Sequence, residues 1–398
     1  MALFSPPKYV ISVLNRLECK GFSAYLVGGC VRDLLIGRRP ADWDVCTNAL
    51  PCEIMSVFEH SRDTGSKHGT VTVFVGKSKV EVTTFRSDGK YTDYRRPESV
   101  TFIPDLKGDL ARRDFTMNAI ALPLSGLAFD PFGGAVDIEN RLIRCVGEPN
   151  QRFNEDALRM LRALRFSAVL GFEIEESTLE AIGENSLLTN FLAAERVCSE
   201  LQSVLMSSKP ELISQMISLG LLTRYIKDTQ EIDLAALAAL PKSRAERWAG
   251  LCALLLQSKM ISNPEDFLQS LRLDSSTVHK AACGVKLSLS EPPSSKLMWK
   301  KLLSRHGTDC GKCTAAAADA LYGTEHTKKL RSVISSGECY CLKRLKISGD
   351  ELLELGFRGK RLGEVLYELL DHVLAHPNDN DLEVLLSLAT DIAKSDGL

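Results

Sequence analysis

The sequence predicts an α+β fold in which a mixed-sheet N-terminal head is followed by an elongated, all-helical remainder. Three observations support this. Short apolar runs typical of strands are confined to the first 150 residues, helical spacing dominates after Asn154, and turn-forming segments interrupt that second part. At 398 residues the chain is too long for one simple core, so we expect two to four domains.

The elements of the head follow from local patterns. Apolar and β-branched runs predict strands at 25–27, 43–46, 70–75, 80–85 and 142–146, with a hairpin turn at 76–79. Helices are predicted near 31–36, 51–59 and 110–121, and the polar segment 86–99 is expected to be a mobile loop. In the helical remainder, breaks are expected near 171, 208–210, 262–264, 286–295, 347–349 and 375–380.

Composition limits the cellular compartment and the kinds of partner that we expect for this chain. The chain is 44% hydrophobic and 25% charged, with no apolar run long enough to span a membrane and no signal-peptide core, so we expect a cytoplasmic protein. The twelve cysteines are then expected as reduced thiols. A formal charge of −2 gives no overall attraction to nucleic acid, so any RNA binding must come from local basic patches.

The stretch 25–45, YLVGGCVRDLLIGRRPADWDV, is the most informative part of the chain. Gly28 and Gly29 lack a Cβ, so their backbone can approach a phosphate, toward which the following helix directs its positive end. Asp42 and Asp44 lie two residues apart on an extended segment and project from one face of a sheet. Their carboxylates repel each other unless a cation lies between them, and Mg²⁺ prefers such ligands together with substrate phosphates. The pattern indicates metal-assisted nucleotidyl transfer.

A third carboxylate, Glu81, belongs to the strand VEVTTF. It faces away from Val80 and Val82, which are expected to be buried. Pairing of this strand with the one that carries Asp44 would bring three acids together, enough for a two-metal site. The alternative is that Asp42 caps a turn and Glu81 is only solvated.

Two arginine–aspartate pairs lie near these acids in the predicted head. Arg32 can reach a triphosphate, whereas Asp33 is better explained as its ion-pair partner and as an acid at a helix start. In ARRDFTMNA, Arg113 is a candidate phosphate or ribose contact that Asp114 could orient; a salt bridge at a helix end is the alternative.

The segment 154–166, NEDALRMLRALRF, places four charged residues three apart: Asp156, Arg159, Arg162 and Arg165. On one helix they would form a single stripe, and three arginines so arranged repel each other unless an anion lies along them. A triphosphate fits, because guanidinium groups offer forked donors to phosphate oxygens.

Asp156 and Arg159 could also select a base. A fixed acceptor beside a fixed donor matches the amino group and ring nitrogen of cytosine and of adenine, whereas uracil and guanine present the opposite pattern. A mismatched base would leave buried charge unpaired at a cost of several kcal/mol. The alternative is an ordinary ion pair between Glu155 and Arg159, four residues apart on a helix.

Together these motifs resemble the tRNA nucleotidyltransferase and poly(A) polymerase family, in its bacterial, class II branch. The resemblance rests on five segments in order: GG-x-V-R-D-L-L-x-G-R-x-x-x-D-x-D at 28–44, E-V-T-T-F at 81–85, R-R-D-F-T-x-N-A at 112–119, D-P-F-G-G at 130–134 and E-D-A-L-R-x-x-R-A-x-R-F at 155–166. Beyond about residue 170, only helical character and overall length are similar.

The resemblance implies a role for each motif. Asp42 and Asp44 would ligate Mg²⁺ with help from Glu81, and Asp156 with Arg159 would read the incoming base. Nucleotide contacts would come from Gly28, Gly29, Arg32, Arg113, Arg162 and Arg165. Residues 130–134 would form a hinge between head and neck.

The resemblance also implies the domains and the partners. A nucleotidyltransferase head at 1–150 would be followed by a neck at 151–208, a body at 209–310 and a tail at 311–398. The helical part would hold the acceptor and TΨC arms of tRNA, with ATP and CTP as the other substrates and no evident protein partner.

Members of this family differ in their product. The loop 86–99 is typical of members that add A, and the chain lacks the extended basic C-terminus of bacterial poly(A) polymerases. We therefore expect addition of C, C and A, with A-only addition second and polyadenylation after it. A nucleotidyltransferase for a small molecule or protein, and a non-catalytic RNA-binding relic, are the remaining alternatives.

Basic clusters in the predicted tail agree with RNA docking. Residues 328–361 contain nine Lys or Arg against four Asp or Glu. Neutralising phosphates there would make binding salt-dependent and largely independent of sequence, whereas the alternative is a solvated helical surface. The candidates are Lys328, Lys329, Lys343, Arg344, Lys346, Arg358, Lys360 and Arg361.

Four cysteines lie outside the family pattern. Cys310 and Cys313 have C-x-x-C spacing, and Cys339 and Cys341 have C-x-C spacing. They could form a zinc site, but the second spacing is unusual and the surroundings are predicted helical. We expect free thiols instead.

Overall fold

The chain forms two compact units, which are described here from a computed structural model covering residues 5–89, 98–290 and 292–397. One unit consists of Met1–Arg224 with Thr229–Glu231, and the other of Tyr225–Asp228 with Ile232–Leu398. The finer division at residues 150, 208 and 310 stays a prediction.

A six-stranded mixed sheet is the centre of the first unit. The strands of the unit are β1 Ala24–Val27, β2 Asp44–Thr47, β3 Ser61–Gly65, β4 Thr70–Val75, β5 Ser78–Thr84, β6 Arg86–Asp88, β7 Val100–Phe102, β8 Ala121–Leu122, β9 Leu142–Ile143 and β10 Glu173–Ile174. The large sheet has the order β3-β4-β5-β2-β1-β8, while β6 pairs with β7 and β9 with β10. Only β2 and β5 are parallel within the large sheet, which confirms the predicted mixed-sheet head.

Ten α-helices surround the strands in the described part of this unit. They are α1 Lys8–Cys19, α2 Gly29–Leu35, α3 Pro51–Val57, α4 Leu106–Ala111, α5 Gly134–Glu139, α6 Pro149–Glu155, α7 Leu158–Leu170, α8 Glu176–Asn185, α9 Ala194–Leu205 and α10 Ile213–Ser218. Helix α1 shows how the pattern specifies packing: Val10, Val13, Leu14 and Leu17 share one face and are all 0% exposed.

In its described residues, the regular secondary structure of the second unit is entirely helical. Its helices are α11 Ala236–Ala239, α12 Arg244–Gln257, α13 Pro264–Ser270, α14 Ser275–Ser288, α15 Lys296–Tyr322, α16 His326–Ser335, α17 Gly349–Glu354, α18 Gly359–Ala375 and α19 Leu382–Asp396. Helix α15 is kinked at Gly307, where φ is 79°. The predicted helical remainder is confirmed. Across the described ranges, every helix is too short or too polar to cross a membrane.

The predicted helix at 110–121 is wrong. Helix α4 ends at Ala111, and the following segment contains only a 3-10 turn, Thr116–Asn118, before β8. Its backbone bonds across the fold instead: Thr116 N–H donates to the Arg144 carbonyl at 3.0 Å, and Val146 N–H donates to the Asp114 carbonyl at 3.1 Å. These long-range bonds override the local helical spacing.

The structure describes only the two ends of the predicted loop at 86–99. Its two ends lie in or beside the paired strands β6 and β7, with Arg86 opposite Phe102 and Asp88 opposite Val100. Residues 90–97 lie outside the described residues, so the expected mobility of this segment stays a prediction.

Candidate active site

Asp44 and Glu81 are direct neighbours across parallel strands β2 and β5. Val80 and Val82 on either side of Glu81 are 1% and 0% exposed, so the predicted alternation of faces holds, and Glu81 points to solvent. Asp42 is exposed two residues before Asp44, which is half-buried. Pairing of the two strands, inferred from sequence, is thus confirmed.

The environment of Asp44 is unfavourable for a carboxylate without a cation. Burial raises the pKa of Asp44, and the negative charges of Glu81 and Asp42 raise it further, whereas the Arg113 guanidinium opposes them. Within the described ranges, no group of three His, Cys, Asp or Glu side chains converges to hold a metal ion. The three acids are therefore neighbours but not a ready three-ligand site.

The residues nevertheless fit a hard divalent cation. The donors are carboxylate oxygens, and burial together with the charge of Glu81 raises the pKa of Asp44, so a bound cation would stabilise its charged form. Mg²⁺ usually takes one or two protein carboxylates and completes its shell with water and substrate phosphates, so it does not need a preformed cage. Asp42 and Asp44 suit that pattern.

Gly28 lies at the closest approach of the glycine pair to these acids. Its φ of 74° is a left-handed conformation that favours glycine. A Cβ at this position would lie 3.2 Å from Nη1 of Arg113 and 3.7 Å from Oδ2 of Asp44. The absent side chain thus leaves room for a guanidinium beside the acidic pair, while Gly29 begins α2.

Arg32 is buried rather than exposed. Its Nη2 contacts Asp33 Oδ1 at 2.7 Å, its Nη1 donates to Asn118 Oδ1 at 2.9 Å, and its guanidinium carbon lies 5.1 Å from the centre of the Phe166 ring. The predicted Arg32–Asp33 pair is present. Asn118 and Phe166, which fix the arginine from the other side, were missed by sequence reasoning because they are distant in the chain.

Arg113 is oriented by Asp109 rather than by Asp114, and this salt bridge at the end of α4 is the alternative that the sequence analysis kept open. Nη2 of Arg113 contacts Asp109 Oδ2 at 3.1 Å, within α4 and the turn that follows it. Burial would lower the pKa of Arg113, but Asp109 and, further away, Asp44 raise it. The spacing of four residues between Asp109 and Arg113 was the sequence signal for this pair.

Asp114 instead binds Arg162 of α7. Oδ2 of Asp114 accepts from Nε of Arg162 at 2.8 Å and lies 2.6 Å from Nη2, while Oδ1 accepts from Asn118 at 3.0 Å. Burial alone would raise the pKa of Asp114, yet the Arg162 charge and these hydrogen bonds hold it well below its usual range.

Asp156 does not lie on the helix that carries the arginines. Helix α6 ends at Glu155, Asp156 is extended with φ −140° and ψ 102°, and α7 begins at Leu158. The Asp156 side chain accepts from Leu158 N–H at 3.1 Å and pairs with Arg196 Nη2 at 3.0 Å. The prediction of one continuous helix through 154–166 is therefore wrong.

Arg159 forms the ion pair that was the alternative prediction. Its Nη1 lies 2.7 Å from Oε2 of Glu155, and it also donates to the backbone carbonyls of Arg152 at 3.0 Å and Arg112 at 2.9 Å. Asp156 and Arg159 are thus held by different partners.

The arginines of α7 are balanced by protein carboxylates. Arg159 pairs with Glu155, Arg162 with Asp114 and Arg165 with Glu200 of α9. The anionic groups that such a stripe of arginines requires are thus present as carboxylates, and the predicted contact with a triphosphate stays a prediction. These acids neutralise the repulsion without a ligand.

Phe166 is a shared contact for the guanidinium groups. The guanidinium carbons of Arg165, Arg32 and Arg162 lie 4.0, 5.1 and 5.3 Å from its ring centre, and Phe115 packs edge-on at 5.8 Å. Three cations around one aromatic ring hold α2 and α7 in register. Sequence reasoning treated Phe166 only as part of a motif.

Residues 130–134 cap the N-terminus of helix α5. Both carboxylate oxygens of Asp130 accept backbone N–H groups, from Gly134 and Ala135, at 2.8 Å. A Cβ on Gly134 would lie 2.1 Å from the carbonyl oxygen of Thr116, so a larger residue would collide with the backbone. The proposed hinge role of this segment stays a prediction.

The candidate RNA-binding residues of the second unit differ in whether a nearby carboxylate already pairs with their charge. Seven are exposed and Arg361 is half-buried. Arg361 lies 2.6 Å from both Glu368 and Asp396, and Lys360 lies 3.5 Å from Glu364. Within the described ranges, no ion pair is recorded for Lys329, Lys343, Arg344, Lys346 and Arg358.

The cysteines of the second unit are free thiols, as expected. Cys310, Cys313 and Cys339 are buried and Cys341 is half-buried. Burial raises the pKa of the Cys310 thiol to about 12, which favours the neutral form. The four-cysteine zinc site finds no support in the described part of the chain.

Comparison with known proteins agrees with this geometry. Residues 24–144 match the family described as the poly A polymerase head domain, and residues 171–232 match a probable RNA- and SrmB-binding site of polymerase A. The CCA-adding enzyme of a Geobacillus species is 38% identical over 92% of this chain and 91% of its own. That of Enterococcus faecalis is 35% identical over 96% and 95%.

A solved structure is similar along the whole chain. The Bacillus stearothermophilus CCA-adding enzyme in complex with CTP has a TM-score of 0.78 and 31% identity, and the similarity covers 99% of both chains. Likeness in sequence and in fold thus extends through both compact units.

Proposed function

Because the chain belongs to the family of CCA-adding enzymes, we propose that it adds C, C and A to the 3′ end of tRNA from CTP and ATP. No nucleic-acid template is used. In each step the terminal 3′ hydroxyl loses its proton to solvent and its oxygen bonds to the α-phosphorus of the nucleotide. The bond from the α-phosphorus to the oxygen shared with the β-phosphorus breaks, and pyrophosphate leaves. The observation that carries the proposal is the pairing of Asp44 with Glu81 beside Gly28, where the absent side chain leaves room for the Arg113 guanidinium.

Asp42 and Asp44 would hold Mg²⁺, assisted by Glu81. When two such ions are bound, they supply the acidification of the 3′ hydroxyl and the neutralisation of the departing pyrophosphate. The proposal is supported by the raised pKa of Asp44: burial first, and then the charges of Glu81 and Asp42, disfavour its charged form, which a bound cation would stabilise.

The triphosphate would lie against the glycine pair. Gly28 and Gly29 offer backbone without side chains, and Arg113 directs one edge of its guanidinium toward Gly28. Arg32 adds a buried positive charge at the start of α2, fixed by Asn118 and Phe166. Fixed donors of this kind cost little reorganisation when a phosphate arrives.

Asp156 and Arg159 would then select the base. Their acceptor and donor edges match cytosine and adenine and oppose uracil and guanine. Reading a base requires Asp156 to turn from Arg196, and Arg159 to turn from Glu155. When the nucleotide binds, contacts to the base would therefore replace these two ion pairs. A base with the wrong hydrogen-bonding edge would not compensate for the loss of the ion pairs.

The helical part would dock the acceptor and TΨC arms of tRNA. Exposed lysines such as Lys343 and Lys346 suit contact with phosphates, because their charge is not committed to a nearby acid in the described part of the chain.

Arg162 and Arg165, each paired with a carboxylate, would contribute to nucleotide binding mainly by supporting α7.

Product sequencing tests the proposal. Purified protein is incubated with Mg²⁺, single or mixed labelled NTPs, and tRNA that lacks its 3′ CCA. Incorporation of C, C and A that stops after three residues is the expected result. A alone on tRNA ending in CC would select A-only addition, and long A tails would indicate polyadenylation. tRNA binding without incorporation would mean a non-catalytic protein.

A further inference from the structure

Asp109 is a buried carboxylate that the proposed mechanism does not use. It lies on α4 with 0% exposure. Its Oδ1 accepts from Nε and Nη2 of Arg112 at 3.0 and 2.7 Å, and its Oδ2 accepts from Nη2 of Arg113 at 3.1 Å. One acid thus compensates two neighbouring guanidinium groups.

The contact with Asp109 determines which edge of Arg113 faces the site. Nη2 is held by Asp109, while Nη1 lies 3.2 Å from the position that a Cβ on Gly28 would occupy. That position is 3.7 Å from Oδ2 of Asp44. The guanidinium therefore lies between a buried acid on one side and the glycine and catalytic acid on the other.

The other oxygen of Asp109 connects to the base-reading region. Arg112, which it holds, accepts a hydrogen bond at its backbone carbonyl from Nη2 of Arg159 at 2.9 Å. The backbone N–H of Arg86 also donates to Oδ1 at 3.3 Å.

We propose that Asp109 is the positioning residue for Arg113 and thereby sets the affinity for the incoming nucleoside triphosphate. This inference rests on the proposed function, because the ligand is the nucleotide substrate. Besides Asp109, Asp44 is the carboxylate whose charge acts on the Arg113 guanidinium. Without the Asp109 charge, Arg113 would pair with Asp44, and both groups would be withdrawn from the phosphate and its cation.

A double-mutant cycle separates positioning from simple stabilisation. The dissociation constant of CTP is measured by calorimetry with Mg²⁺ and without tRNA, for Asp109→Asn, Arg113→Gln and the double variant. Each single change is expected to weaken binding about tenfold or more, the scale of a lost charged hydrogen bond. If Asp109 acts through Arg113, the double variant binds CTP no more weakly than Arg113→Gln.

Asp137→Asn is the matched control. Asp137 is also buried and also accepts two side-chain hydrogen bonds, from Thr116 Oγ1 at 2.6 Å and from Arg144 Nε at 3.3 Å. Neither donor is Arg113. It is expected to lower thermal stability while leaving CTP affinity within about twofold. A tenfold loss of affinity in this control would mean that any buried acid matters equally, which would overturn the inference.

The experiment still distinguishes positioning from stabilisation if the Asp109→Asn variant does not fold. Loss of one partner of a buried ion pair is strongly destabilising, whereas the double variant leaves no uncompensated Arg113 charge. Comparison of the double variant with Arg113→Gln alone is then sufficient: equal affinities support positioning, and a further tenfold loss contradicts it. If the unaltered protein does not bind CTP, the proposed function fails, and this inference fails with it.

Discussion

Asp114 and Arg162 form an ion pair, 2.6 Å between Oδ2 and Nη2, that joins the segment after α4 to helix α7. The carboxylate is nearly buried, and Asn118 satisfies its second oxygen. This pair, rather than the predicted pairing of neighbours in sequence, fixes the arginine-bearing helix next to the sheet. It also makes the stability of the first unit depend on one aspartate.

Asp114→Asn should destabilise the first unit by about 2–4 kcal/mol, because Arg162 would be left without its buried counterion. The measurement is the urea midpoint of the transition followed by circular dichroism at pH 7. The Asp114→Asn/Arg162→Gln double variant should recover part of the loss. A midpoint unchanged in the single variant would contradict the assigned importance of the pair.

The same pair predicts how stability depends on pH. The pKa of Asp114 is depressed in the folded protein, so its contribution is present above the unfolded-state pKa of about 4 and is lost as pH falls toward the folded-state value. The urea midpoint of the unaltered protein should therefore fall more steeply below pH 4 than that of Asp114→Asn. Parallel curves for the two proteins would argue against this assignment.

Asp42→Ala should lower incorporation of C and A by about a thousandfold or more, because a proposed cation ligand is lost. tRNA affinity, measured by filter binding, should remain within about twofold. Glu59→Ala, which removes an exposed acid of the same unit, is the control and should be active. Loss of tRNA binding in Asp42→Ala would instead indicate a structural role.

Gly28→Ala should weaken CTP binding, because the added Cβ would meet Nη1 of Arg113 at 3.2 Å. Gly21→Ala is a matched control: Gly21 has a similar φ of 85°, but its added Cβ meets nothing within 4 Å. Both variants should lose about 1 kcal/mol of stability from backbone strain. Only Gly28→Ala should show a CTP dissociation constant raised about tenfold or more; equal affinities would mean that the contact is unimportant.

Arg159→Ala should reduce discrimination among bases more than it reduces triphosphate affinity. The ratio of kcat/KM for CTP to that for UTP should fall by about ten- to a hundredfold, the scale of a lost charged hydrogen bond. Arg224→Ala, outside the site, serves as control. If UTP and GTP remain rejected as before, Arg159 does not read the base.

Lys343→Ala/Lys346→Ala should weaken tRNA binding and flatten its salt dependence. Each lost phosphate contact reduces the slope of log K against log salt concentration by about 0.7–0.9. Arg361→Ala should change the slope little, because Glu368 and Asp396 already compensate its charge. An equal effect of Arg361→Ala would show that the charges of the tail act only as a diffuse field.

Much of the fold was accessible from the sequence, because it depends on local patterns. Alternation around Glu81 predicted its exposed face and its strand, and the apolar runs at 25–27 and 43–46 and the helical pattern near 31–36 predicted β1, β2 and α2. Helical spacing predicted the character of the second unit. These features are specified within a few residues of each other, so no distant partner was needed to infer them.

The prediction of the candidate site was less complete. Its acidic neighbours follow from strand pairing, but the helix at 110–121 and the continuous helix through Asp156 were both wrong. In each case backbone groups bond to distant segments or leave helical geometry, which local propensity does not encode.

The sequence by itself determined which residue types are available: the acids, the glycine pair and the arginines that suit nucleotide chemistry. Only the tertiary structure decided the partners of the α7 arginines, giving Arg162 to Asp114 and Arg165 to Glu200 of another helix. The physical reason is that an ion pair depends on the distance between charges after folding and on their burial, and neither quantity is set by separation along the chain.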